Sequence, residues 1–213
     1  MNIITRSDVG KVRKVNQDYI RSYQKNDEEA LVVLCDGMGG HNAGEIASKM
    51  TADDIIDHYQ SRECFNGISD IREWMHEVIN HAHQLVREKG AQSLELEGMG
   101  TTVVLVLYVN GQSYISHVGD SRAYLFKDNE LNQLTKDDTL VNVLVDAGTI
   151  SKDEAYLHPQ KNILLQAVGV SDYLNISFIS LNINHGILLV CSDGLYNSLF
   201  DMQITQVLEK DSF

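Results

Sequence analysis

The sequence predicts an α+β fold in which two antiparallel sheets stack and helices cover the outside. Three observations lead there. The strand-like runs come mostly as hairpins, two long helical stretches follow one another after the third strand instead of alternating with strands, and apolar runs ending in Asp beside Gly recur far apart in the chain.

In chain order, Asn2 to Thr5 reads as an opening strand, and Gly10 interrupts the stretch that follows. Asp18 to Tyr23 and Ala30 to Cys35 read as two strands around the polar turn Gln24 to Glu29. Ala43 to about Tyr59 reads as a helix. Ser69 is the expected N-cap of the next, with Asp70 near the positive end of its dipole. Ile71, Trp74, Met75, Val78, Ile79, Ala82, Leu85 and Val86 recur at three and four residues, one apolar face that packs on a core and ends near Gly90.

Thr101 to Val109 and Gln112 to Val118 flank Asn110-Gly111, a strong hairpin signal. Ala123 to Lys127 and Leu131 to Leu134 form another hairpin. Leu140 to Val145 reads as a short helix ending at Gly148, and Ser151 to Glu154 has capping-box spacing. Ser171-Asp172-Tyr173 leads into a strand through Phe178, Gly186 opens the strand toward Asp193, and Asp201 to Leu208 is the last helix.

The chain's 213 residues, 43% apolar and 22% charged, suffice for one domain over 1–213 with a sizeable core. A single Pro and no low-complexity run leave no linker. The net charge of −13 argues against nucleic acid and anionic membrane surfaces as partners. Cys35, Cys64 and Cys191 have neither disulfide-framework nor zinc spacing. The first residues lack the apolar region of a signal peptide, and the run Val103 to Val109 is too short to span a bilayer, so a cytoplasmic protein is expected.

The most informative run is Leu31-Val32-Val33-Leu34-Cys35-Asp36-Gly37-Met38-Gly39-Gly40-His41. An apolar strand ends in a carboxylate and passes into glycines, which allow close backbone approach to a ligand. Ile187 to Gly194 repeats the design around Asp193, and Tyr114 to Asp120 ends another strand in Gly-Asp. Carboxylates gathered at strand ends repel unless a cation neutralises them, and all-oxygen ligands favour hard ions such as Mg²⁺ and Mn²⁺. His58, His76, His81 and His83 are expected to be solvated, and Asp53-Asp54 and Glu28-Glu29 exposed.

The motifs resemble the metal-dependent Ser/Thr protein phosphatases (the PPM, or type 2C, family) in their compact bacterial form. The matching segments, in the family's order, are Asp8-Val9-Gly10 with Arg13 and Asn16-Gln17-Asp18, then Asp36 to His41 and Gly98-Met99-Gly100-Thr101-Thr102. His117 to Tyr124, His158-Pro159 with Asn162, and Ser192-Asp193-Gly194-Leu195 complete the set. The resemblance implies an α-β-β-α sandwich and hydrolysis of phosphoserine and phosphothreonine by direct attack of a metal-bridging water. It implies that Asp36 bridges two Mn²⁺ or Mg²⁺ ions, with Gly37 offering its carbonyl and Asp193 ligating the other ion. Asp120 matches the ligand of a third, weaker site. Asp18 would hold metal-bound water, Arg13 the substrate phosphate, and His41 would protonate the leaving oxygen. Residues 141–165 match a mobile flap near the substrate entrance. Phosphorylated proteins and a cognate bacterial-type Ser/Thr kinase are the implied partners.

Two departures stand out. The family continues into further strands carrying another metal-ligating Asp, so the C-terminal strands are expected to be missing here. The alternative is then an impaired fragment or pseudophosphatase that binds phosphoprotein. Asp137-Asp138-Thr139 also has Asp where the family often has His, a difference expected to affect only the base of the flap.

Overall fold

The computed structural model describes residues 1–40, 43–183 and 185–210. A hairpin of β1 (Asp18–Asn26) and β2 (Glu29–Met38) is followed by α1 (Ala43–Ser61) and α2 (Ile68–Gly90). Next come β3 (Gly100–Thr101), β4 (Val103–Val109), β5 (Gln112–Val118), β6 (Arg122–Lys127) and β7 (Glu130–Gln133). The chain continues through α3 (Leu140–Asp146), α4 (Lys152–Leu157), β8 (Ile179–Asn182), β9 (Ile187–Cys191), α5 (Asp193–Tyr196) and α6 (Asp201–Lys210).

The first sheet has the order β1-β2-β4-β5-β8, with β3 also paired to β2, and the second has β7-β6-β9. All pairings are antiparallel. β4 shows why the sheets stack. Its side chains alternate between faces: Val103, Leu105 and Leu107 join Ile55, Tyr59, Met75 and Ile79 of the helices. Val104 and Val106 face the other way, toward Ala123, Leu188 and Val190 of the second sheet. That sheet's outer face carries Phe126, Leu131, Ile187 and Leu189, covered by Ile204 and Leu208 of α6. The layers are therefore helix, sheet, sheet, helix, as expected.

Several local expectations are corrected. Asn2 to Thr5 is irregular, because no strand among the described residues pairs with it and most of it is exposed. The β1–β2 turn is tighter than the polar stretch implied, since Asn26 Oδ1 accepts the Glu28 N–H at 2.8 Å and lets both strands extend. Gly67, not Ser69, precedes α2 and makes no side-chain cap. Asp70 closes this end instead, accepting the Asn66 N–H at 2.7 Å and pairing with Arg62. Residues 174–178 form no strand: Ser177 Oγ accepts the His117 N–H at 3.2 Å, and β5–β8 pairing starts only at Ile115 with Ile179. The chain passes α4 with the expected capping box at Ser151 and Glu154.

The charged and His residues expected at the surface also differ. His83 is buried, its Nδ1 accepting the Gly169 N–H at 2.9 Å. Asp53 is half-buried between Arg21 and Lys49. Glu29 pairs with Lys25 and accepts from Tyr59 Oη. No helix among the described residues is long and apolar enough to cross a membrane.

Leu105 of β4 is fully buried in the core beneath the helices, whereas Val12 is 92% exposed. Leu105→Ala is expected to lower the unfolding free energy by about 2–5 kcal/mol, and Val12→Ala by less than about 0.5 kcal/mol. Urea denaturation of the two variants beside the parent chain checks the contrast.

Candidate metal centre at the strand ends

The site begins with register. Asp18 on β1 is the direct cross-strand partner of Asp36 on β2. Like charges in that position repel, yet a slip of one residue would turn Leu31, Val33 and Cys35 out of the core. The Asp36 peptide is held on its other side by the Thr101-Thr102 step between β3 and β4. Its N–H donates to Thr102 Oγ1 at 3.0 Å, and its carbonyl accepts the Thr102 N–H and the Thr101 hydroxyl, each at 2.9 Å.

Asp193 arrives from the second sheet, as the first residue of α5 directly after β9. Its neighbour Ser192 donates its hydroxyl to Asp18 Oδ2 at 2.6 Å, and Asn197 Nδ2 donates to Asp193 Oδ2 at 3.1 Å. Asp120 lies at the corner between β5 and β6, where its carbonyl accepts the Tyr196 hydroxyl at 3.0 Å. One turn of α5 thus ties the Asp193 and Asp120 segments together.

The carboxyls feel one another. Burial, then the charges of Asp18, Asp193 and Asp120, push Asp36 up to about 8. Burial, then Asp193 and Asp137, push Asp120 up to about 6. Burial and Asp18 also raise Asp193, while Arg13 and the Asn197 hydrogen bond oppose the rise. Arg13 is exposed on the loop before β1, close enough for its charge to act at Asp193. The structure therefore brings Asp18, Asp36, Asp120 and Asp193 into one cluster, with Arg13 beside it. His41 lies outside the described residues.

Gly37 has a steric reason to be glycine. A Cβ there would lie 2.1 Å from the Gly44 carbonyl oxygen in the first turn of α1 and 2.7 Å from the Gln17 carbonyl oxygen. The Gly37 N–H donates to that Gln17 oxygen at 3.0 Å. The donor set fits hard cations: it is all oxygen, half-buried and short of positive charge. The nearby thiols do not join it, since burial pushes Cys35 up and holds Cys191 at about 12.

The supporting residues escaped sequence reasoning. Arg122 forks onto Asp137, with Nε 2.9 Å from Oδ1 and Nη2 2.7 Å from Oδ2, donates to Tyr124 Oη, and stacks 3.6 Å over the Tyr196 ring. Asp138 Oδ2 accepts the Gly119 N–H at 2.8 Å, and Thr139 caps α3. Asp137-Asp138-Thr139 therefore anchors the Asp120 corner as well as the base of α3. The only available signal was the presence of Thr101-Thr102, Ser192 and Arg122 within the matched motifs. A cavity of ≈ 790 Å³ lies between α3–α4 and the second sheet, lined among others by Asp120, Arg122, Lys152, Lys161 and Phe200.

The raised Asp36 carboxyl makes a pH prediction. A carboxyl whose folded value lies above its unfolded one binds more protons in the folded state, so stability falls as pH rises through that window. His76 and His83 are lowered by burial and act with the opposite sign, but only below their ordinary 6.5. Between about pH 6.5 and pH 8 Asp36 is left to dominate. In EDTA the melting temperature is therefore expected to fall across this range, and Asp36→Asn to flatten the slope. Thermal unfolding at several pH values measures both.

The protein phosphatase 2C family profile matches residues 11–210. The chain is 36% identical over 205 residues to the serine/threonine phosphatase stp of Listeria welshimeri, covering 96% of this chain and 81% of that one. It is 36% identical over 212 residues to protein phosphatase PhpP of Streptococcus pneumoniae, covering 99% and 85%. Among solved structures, the serine/threonine phosphatase of S. agalactiae superimposes with a TM-score of 0.90 at 38% identity, over 97% of this chain and 85% of that one. The catalytic domain of PstP, solved in complex with two manganese ions, superimposes with a TM-score of 0.81 at 32% identity, over 96% and 82%. With a match along nearly its whole length and the same layered fold, the chain belongs to the protein phosphatase 2C family and is a protein serine/threonine phosphatase.

Proposed function

We propose that this chain hydrolyses phosphoserine and phosphothreonine in proteins with Mn²⁺ or Mg²⁺ held by Asp36 and Asp193. The observation that carries the reading is the convergence of four half-buried aspartates, with Asp36 pushed up to about 8. Cations relieve that crowding and let a phosphate dianion approach. The manganese ions of the similar PstP domain support the choice of ion.

In this reading Asp36, the Gly37 carbonyl and Asp193 would hold two ions, and Asp120 would serve a third, weaker site. Bound there, the ions supply a water of lowered pKa and neutralise phosphoryl oxygens. Arg13 grips the phosphate, since its planar fork matches two oxygens at once. Asp18, steadied by the Ser192 hydroxyl, would hold water beside the ions. His41 gives a proton to the leaving seryl or threonyl oxygen. No covalent enzyme intermediate is needed, in keeping with thiols that stay protonated. Residues 1–213 act as one phosphatase domain, with 141–165 bordering the substrate. The partners are phosphorylated proteins and a cognate bacterial-type Ser/Thr kinase in the cytoplasm.

A phosphothreonine peptide is expected to turn over in Mn²⁺ and to stop in EDTA. Asp36→Asn should lower kcat more than about tenfold, a barrier increase above ~1.4 kcal/mol, with the circular dichroism unchanged. Arg13→Ala should raise KM about tenfold, and Arg13→Lys should not restore it. Full turnover in EDTA would overturn the proposal.

A further inference from the structure

On the helical layer, away from the carboxylate cluster, α1 and α2 bring Asp54, His58 and His81 together. We propose that these three side chains form a separate site for a borderline first-row cation, Zn²⁺, Ni²⁺ or Cu²⁺, which pins α1 to α2.

Asp54 and His58 lie one helical turn apart on α1, where side chains meet, and His81 faces them from α2. One ligating atom from each lies within 4.8 Å of the other two. The imidazoles converge on a single carboxylate: His58 Nδ1 is 3.5 Å from Asp54 Oδ1, and His81 Nδ1 is 2.9 Å from Asp54 Oδ2. The ring centres are 4.6 Å apart with planes at 62°, so the rings approach edge to face.

His58 Nδ1 also lies 2.8 Å from the Asp54 backbone oxygen. A carbonyl oxygen only accepts, so without a metal that nitrogen carries a hydrogen, and a cation at Nδ1 takes the place of that hydrogen.

The charge balance favours a cation. The preceding residue, Asp53, is neutralised by Arg21 and Lys49. Asp54, with only 13% of its side chain exposed, forms no ion pair with Lys or Arg among the described residues and meets imidazoles alone. Two imidazoles and a carboxylate suit zinc, nickel and copper, whereas the strand-end cluster offers only oxygen to harder ions. Ligands about 2.0–2.2 Å from an ion stand roughly 3–3.5 Å apart. The rings are 41% and 50% exposed and can turn by the small amount needed.

The test uses the whole chain preloaded with Mg²⁺, with Cu²⁺ followed by electron paramagnetic resonance and Ni²⁺ by calorimetry and thermal unfolding. One equivalent of Cu²⁺ is expected to show nitrogen hyperfine coupling, and Ni²⁺ to raise the melting temperature. His58→Gln and His81→Gln should each weaken Ni²⁺ binding at least tenfold, Asp54→Asn should weaken it too, and Asp36→Asn should leave it unchanged. Nitrogen coupling that persists in the doubly substituted His58→Gln, His81→Gln chain would overturn the proposal. So would oxygen-only coordination of copper in the parent chain, which would place the ion at the aspartate cluster.

Discussion

Asp18 faces Asp36 across two neighbouring strands, and much of the rest follows from holding that unfavourable pair in place. The hairpin cannot relieve the repulsion by slipping, because its apolar residues would leave the helix-facing core. The threonine step grips the Asp36 peptide, and the first turn of α1 packs against a glycine too crowded to carry a side chain. The second sheet then delivers Asp193 to the same edge and adds the Ser192 hydroxyl as a donor to Asp18. The sandwich thus holds together two carboxylates that would otherwise part, and carboxyls perturbed in this way cluster at functional sites.

The second sheet does more than close the core. Arg122 joins β6 to Asp137, and through its stack on Tyr196 it reaches the helix that begins at Asp193. Tyr196 in turn holds the Asp120 carbonyl, and Asp138 holds the preceding Gly119. The residues at the base of α3–α4 and those at the carboxylate cluster share one hydrogen-bonded frame. That segment is therefore tied to the Asp120 corner by contacts, not by proximity alone.

Legibility in the sequence followed the range of the forces. Asn110-Gly111 and Asp128-Asn129 announced turns whose residues take positive φ. Asp36, Asp120 and Asp193 were legible as strand-end carboxylates beside glycine. Which residue faces Asp36 was not, because register depends on partners far apart in the chain. The Arg122–Asp137–Tyr196 frame was hidden for the same reason. Ser69 looked like a cap but lost to Asp70, whose longer reach serves Asn66 and Arg62 together. His83 was expected to be solvated, yet it lies one turn from Ile79 on the buried face of α2, with the Gly169 N–H donating to its Nδ1.

The central claim is that crowded aspartates make the site unstable alone and stable with divalent cations. Thermal unfolding of the parent chain and Asp36→Asn at pH 7.5, each in EDTA and in saturating Mn²⁺, tests it most directly. The account predicts that the variant is the more stable of the two in EDTA, by about 1 kcal/mol or more, and that Mn²⁺ raises the melting temperature of the parent but hardly that of the variant. A variant that is less stable in EDTA and gains as much from Mn²⁺ as the parent would contradict it.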